Sequence, residues 1–196
     1  GGSASYTGDG FSGLYLWGAQ LEAGSFATSY IPTTSAAVTR NADAASMTGT
    51  NFSSWFNNGE GTIYAETTGY ASGGSPKGIV SIGNYYSTAN TMDVYYAASL
   101  TSVQLEMITN SVVQATIVAS GQKTKVAAAY KFNDTNLGSD GSVGTTDTSC
   151  TIPVCTEIGF GTIYNGNPSY YANGRIKKIA YYPVRVTNAQ LQALTA

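Results

Sequence analysis

The stretch TSVQLEMIT, residues 101–109, decides the fold. Val103, Leu105 and Met107 fall on one side, and Gln104 and Glu106 on the other. Alternation with period two describes a half-buried β-strand, not a helix. The pattern recurs in KTKVAAAYKF (123–132), where Val126, Ala128, Tyr130 and Phe132 oppose Lys125 and Lys131. In MDVYYA (92–97) it sets Met92, Val94 and Tyr96 against Asp93 and Tyr95. GTIYAET (61–67), GIVSIG (78–83), VVQATIVA (112–119), CTEIGFG (155–161) and GRIKKIAYYP (174–183) are further strand candidates. Between them lie NNGEG (57–61), GYASGGSPKG (69–78), NDTNLGSDGS (133–142) and YNGNPS (164–169). These are turn sequences: Gly supplies positive φ, Asn and Asp make local side-chain turns, and Pro presets φ. Many short strands with Gly-rich turns predict a β-sandwich.

Composition agrees. The 196 residues are 42% hydrophobic and only 10% charged, which suits one sizeable all-β core and not a helical bundle. Two short helical pieces stand out. NFSSWFN (51–57) gathers Phe52, Trp55 and Phe56 on one amphipathic turn. TNAQLQAL (187–194) offers Thr187 as N-cap and Gln190 three residues on, a capping-box pattern that turns Leu191 and Leu194 to the core. At the other end, Leu14, Tyr15, Leu16 and Trp17 read as a strand with nothing before it to pair with. Composition shifts at YIPTTSAAVT (30–39), placing a boundary near Thr34: residues 1–33 form an N-terminal strand and linker, residues 34–196 the sandwich. The Gly1-Gly2-Ser3 start reads as that of a fragment or processed product.

Several chemistries are excluded. The chain has no histidine, so it holds no Ser-His-Asp triad, no Cys-His pair and no His-ligated zinc. The formal net charge of −2, with scattered Lys and Arg, gives no basic stripe for nucleic acid. No apolar run approaches the ~18 residues of a membrane span. Cys150 and Cys155 in CTIPVC lack CxxC spacing. They read as small buried hydrophobes near a turn, with a disulfide across a tight hairpin as the alternative. The segment FNDTNLGSDGS (132–142) holds Asp134, Asn136, Asp140 and Gly141 in loose likeness to a calcium loop. Its spacing is not that of an EF-hand, and Asx-turn hairpin chemistry explains it without a metal.

Sugar recognition asks for less than catalysis does: exposed rings and a few amide or carboxylate groups suffice. Tyr outnumbers Phe 15 to 6, and several tyrosines fall in polar loops. GNYYSTAN and IYNGNPS therefore nominate Asn84, Tyr85, Tyr86, Tyr164, Asn165, Asn167, Tyr170 and Tyr171 as carbohydrate-binding residues.

YLWGAQLEAGSFATSYIPT (15–33), with AAVTRNADAASMTGTNFSSWFNNGEGTIYAE (36–66) after it, resembles a segment recurrent in bacteriophage tail-fibre and tailspike proteins. The resemblance continues through KVAAAYKFND (125–134) to GRIKKIAYYPVRVTNAQLQALTA (174–196). That last stretch is similar to the final strand and short helix of concanavalin A-like, laminin-G-like jelly rolls. The likeness covers nearly the whole chain and is weakest over residues 70–120 and 136–170. It implies an all-β jelly-roll sandwich of two antiparallel sheets with a short C-terminal helix.

In function, the resemblance implies a host-recognition module on the virion tail that binds bacterial lipopolysaccharide or capsule as a homotrimer, without cofactors. A structural trimerisation or capping role and a polysaccharide depolymerase are the alternatives. It makes LYLWGAQLEAG the closing strand of an upstream module, with Leu14, Leu16 and Trp17 at an oligomer interface; the other reading adds that strand to the sandwich itself. Glucanases of this fold class place acids as E-x-D-x-x-E on one strand. Here Glu60, Glu66, Asp93, Glu106, Asp134, Asp140, Asp147 and Glu157 are isolated, so the expectation is a non-catalytic domain.

Overall fold

The computed structural model describes residues 7–11, 13–22, 27–39, 45–68, 70, 74–84, 88–121, 123–163 and 168–196. The chain divides into two compact units, Gly1–Asn41 and Ala42–Ala196. The second is a sandwich of two antiparallel sheets. Its strands are β1 (Ala45–Thr48), β2 (Glu60–Thr68), β3 (Lys77–Gly83), β4 (Thr91–Tyr96), β5 (Ser102–Thr109), β6 (Val112–Ser120), β7 (Lys125–Lys131), β8 (Asn136–Ser139), β9 (Ser142–Val143), β10 (Glu157–Phe160) and β11 (Arg175–Tyr182). One sheet runs β1-β10-β3-β4-β5-β6, the other β11-β2-β7-β8-β9.

Alternation builds the core. Val80, Ile82, Met92, Val94, Tyr96, Val103, Leu105, Met107 and Ile117 of the first sheet meet Ile63, Ala65, Val126, Ala128, Tyr130 and Leu137 of the second. One end is plugged by α1 (Thr50–Ser53), whose Phe52 stacks on Phe56 at 4.4 Å between centroids while Trp55 meets Tyr181 edge-on at 4.9 Å. Gly61 is required there: a Cβ would come within 2.5 Å of the Tyr130 hydroxyl.

The outer face of the five-stranded sheet is covered over β7, β8 and β9 by α2 (Asn188–Thr195). The capping box forms as expected: Gln190 N donates to Thr187 Oγ1 at 3.3 Å, and Thr187 N to Gln190 Oε1 at 2.8 Å. Leu191 is buried against Tyr64, Ala127, Ala129 and Val186, with Leu194 packed beside them. This explains the Ala-rich β7. Its outward residues must be small because a helix lies on them.

Three expectations are corrected. The segment 133–142 is not all turn. Asn136–Ser139 is the buried strand β8, and the turn narrows to Asp140 (φ 40°) and Gly141 (φ 75°), a pair of positive φ values that suits a two-residue hairpin. Phe132 does not continue the inward face of β7; it lies past the end of the strand and is exposed. Leu14–Trp17 forms no strand, because no strand edge is offered to it among the described residues of its own unit.

In that N-terminal unit the described residues have no regular secondary structure. Residues 20–22 fold back on 28–31: Ile31 N donates to Gln20 Oε1 at 2.8 Å, and Thr28 N to Glu22 Oε1 at 2.5 Å. Trp17 packs on Tyr30 with ring centroids 5.0 Å apart, yet remains 86% exposed, as do Leu14 (84%) and Leu16 (86%).

Candidate functional site

The outer face of the six-stranded sheet is the candidate. Register places Ser46, Gly159, Ser81, Asp93, Glu106 and Thr116 side by side in one row across all six strands. Strands lie ~4.8 Å apart, so the row spans roughly 24 Å. A second row brings Tyr95 beside Gln104 and Val118. A third sets Glu157, Gly83, Thr91 and Ile108 in line. The rim is exposed at Ser46, Thr48, Thr116 and Val118, the centre at Ser81, Asp93 and Tyr95 is buried, and Gln104, Glu106 and Glu157 stand half-buried between.

Asp93 is the centre, with 0% exposure. Its Oδ2 accepts from Thr91 Oγ1 at 2.8 Å; its Oδ1 has no hydrogen-bond partner among the described residues. Burial pushes the carboxyl up to about 7, the hydroxyls of Ser81 and Thr91 pull it down, and the charge of Glu106 adds a smaller push upward. Tyr95 donates to Gln104 Oε1 at 2.9 Å and approaches Glu106 Oε2 at 3.5 Å. Its phenol is raised by burial first and then by Glu106 and Asp93, so it remains a neutral donor.

Asp93 and Glu106, isolated in sequence, are thus directly opposed on neighbouring strands. Opposed residues have Cβ atoms ~4.5–5.5 Å apart, and like charges there repel. A carboxylic acid with a raised pKa beside a second carboxylate has the polarity of a glycosidase pair. Asp93, however, is wholly shielded, and a glycosidic oxygen has no path to it.

Loops frame the face at both ends. Segment 161–172 is closed at its base by Ala172 N donating to Gly161 O at 2.8 Å, and Gly161 N donates to Ile79 O at 2.9 Å. The Thr162 backbone rests on Gly78 so closely that a Cβ there would lie 2.1 Å from the Thr162 carbonyl carbon. Lys77, at the same end of β3, donates from Nζ to Ser169 O at 3.3 Å. Tyr170, in the 3-10 turn Pro168–Tyr170, and Tyr171 are half-buried in this loop. Asn84 lies past the other end of β3, where its Oδ1 accepts from Thr156 Oγ1 at 3.1 Å. The seven residues of β3 separate Asn84 from Tyr170 by roughly 20 Å, so they do not form one cluster. Tyr85, Tyr86, Tyr164, Asn165 and Asn167 lie outside the described residues.

The remaining candidates resolve simply. Cys150 and Cys155 are free thiols, both buried; Cys150 Sγ donates to Thr135 Oγ1 at 2.9 Å, and burial pushes the Cys155 thiol up. They are the small buried groups, not the disulfide. The acids of the calcium-like segment serve the scaffold. Asp140 Oδ1 accepts from Lys125 N at 2.9 Å and Thr124 N at 3.1 Å, and Asp134 pairs with Arg185 at 2.8 Å. Among the described residues no group of three His, Cys, Asp or Glu side chains converges as a metal site. No helix among them is long and apolar enough to cross a membrane.

No protein-family model matches the chain, and no curated protein sequence does. Solved structures do. The CBM40 of the Ruminococcus gnavus IT-sialidase, solved bound to α2,3-sialyllactose, is 16% identical with a TM-score of 0.57, covering 71% of this chain and 84% of that one. The heptameric SAP-like pentraxin of Limulus polyphemus is 13% identical with a TM-score of 0.52, covering 70% of each. Domains LG4-5 of the mouse laminin α1 chain are 9% identical with a TM-score of 0.53, covering 71% of this chain and 38% of that one. At these identities the likeness establishes the architecture: a jelly-roll sandwich of the lectin and laminin-G type.

Proposed function

We propose that the sandwich is a non-catalytic carbohydrate-binding domain, and that it serves a phage tail fibre or tailspike as a host-recognition module for bacterial surface glycan, lipopolysaccharide or capsule. The observation that carries the binding reading is the contrast between the two outer faces. One is covered over β7, β8 and β9 by α2, while the other holds Gln104, Glu106 and Glu157 half-buried around a buried polar centre. Such groups hydrogen-bond sugar hydroxyls. A jelly roll of similar architecture has been solved with sialyllactose bound, which supports the reading. The tail-fibre setting, the virion location and a homotrimer rest on the resemblance of residues 15–33 and 174–196. The shielding of Asp93 supports a domain without hydrolase activity.

A glycan array probed with the purified chain tests binding. The expected result is retention of a defined glycan set, lost or weakened in Gln104→Ala. Reducing-end release from capsule or lipopolysaccharide would instead make it a depolymerase. A second reading, structural trimerisation or capping of a fibre, is favoured by the exposed Leu14, Leu16 and Trp17. An array without hits from a chain that is trimeric in solution would select it.

A further inference from the structure

The charge on the candidate face restricts its ligand. Asp93, Glu106 and Glu157 all lie on the outward positions of the six-stranded sheet. The six strands and the hairpin loops joining β3, β4, β5 and β6 contain one basic residue, Lys77. Lys77 is buried, and its Nζ is turned to Ser169 O. Loop 161–172 contains no Lys or Arg at all. Five of the nine basic residues are on the opposite sheet, where Lys125 and Lys131 belong to β7 and Arg175, Lys177 and Lys178 to β11. Lys131 is paired there with Glu60 at 3.6 Å and Lys177 with Glu66 at 3.2 Å.

A sugar carboxylate is recognised by charge-assisted bonds from Arg or Lys, and this face offers acceptors instead. Asp93 is shielded, so the acceptors a ligand meets are the half-buried Gln104, Glu106 and Glu157, and such acceptors are matched by donors: hydroxyl or ammonium hydrogens. We infer that this face takes a glycan unit that carries no carboxylate and presents hydroxyl or amino donors, and that it discriminates against sialylated glycans. The inference rests on the carbohydrate-binding reading and names the ligand class of the same face.

The test is titration calorimetry of the full chain with lactose, glucosamine oligomers and 3′-sialyllactose at one ionic strength. A neutral or amino oligosaccharide should bind at least about tenfold more tightly than sialyllactose, the scale of one repelled charge near a surface. Glu106→Gln and, separately, Glu157→Gln should shrink that ratio while the melting transition stays cooperative. Equal or tighter binding of sialyllactose overturns the inference and leaves the carbohydrate reading standing, as does a ratio unchanged in both variants. Absence of binding to every glycan on the array and in the calorimeter overturns the carbohydrate reading, and this inference with it.

Discussion

Asp93 is the residue at which alternation and burial disagree. Its parity sends it outward with Glu106, yet it is fully shielded. Its pairing was half legible in the sequence. Parity alone puts both acids on the outer face, but whether they meet depends on the β4–β5 register, and a loop containing Leu100 at φ 55° sets that. The sign of its effect on stability follows from the raised pKa. The folded chain holds a proton that the unfolded chain, at 3.8, has released. Between about pH 4 and about pH 7 the native state therefore binds more protons, and stability falls as pH rises through that window. The loss is at most about 4 kcal/mol. Asp93→Asn should flatten the slope, leaving the variant more stable than the parent above neutrality. Urea unfolding at several pH values measures it, and a parent whose stability climbs from pH 4 to pH 7 contradicts the assignment.

At the scale of elements, the strands written in alternating code were the legible ones: β2 to β7, β10 and β11 all lie where the period predicts. β8 was hidden because its residues are those of turns. Asn136 is buried there with its amide tied to Gly144 O at 3.0 Å and Thr146 Oγ1 at 2.9 Å, and Gly138 makes room for Leu191. Both are tertiary demands, invisible to local propensity. Asn84 and Tyr170, both nominated from polar loops, lie at opposite ends of β3, a separation that local composition does not carry. Helix α2 was written plainly in its cap. Thr187→Ala should cost about 1 kcal/mol by removing that cap. Leu191→Ala should cost about 2–5 kcal/mol, since a cavity opens between helix and sheet. Thermal unfolding of both variants checks the order. Equal losses would mean that packing does not dominate the attachment of α2.

For the whole molecule, the open matter is what the N-terminal unit does with its apolar side chains. Fully burying each of Leu14, Leu16 and Trp17 is worth roughly 1.5–3 kcal/mol, which makes their exposure a source of affinity for a partner surface. If that partner is another copy of the chain, Trp17→Ala should lower the mass seen by light scattering while the sandwich melts at an unchanged temperature. A variant that keeps its mass but melts early would put Trp17 in the fold of its own chain instead. Charge is divided at this scale too, with lysines of β7 and β11 on one sheet and the carboxylates of the candidate face on the other.

The two free cysteines carry a consequence of their own. Cys150 and Cys155 sit at 0% and 3% exposure where the segment before β10 meets β8 and β3, each sulfur held against backbone or hydroxyl oxygen. A thiol reagent in solution reaches neither until that seam parts. Their rate of labelling is therefore a clock for the parting of the two sheets, readable in the unmodified chain. Under conditions where closing is fast, it reports the free energy of that opening directly.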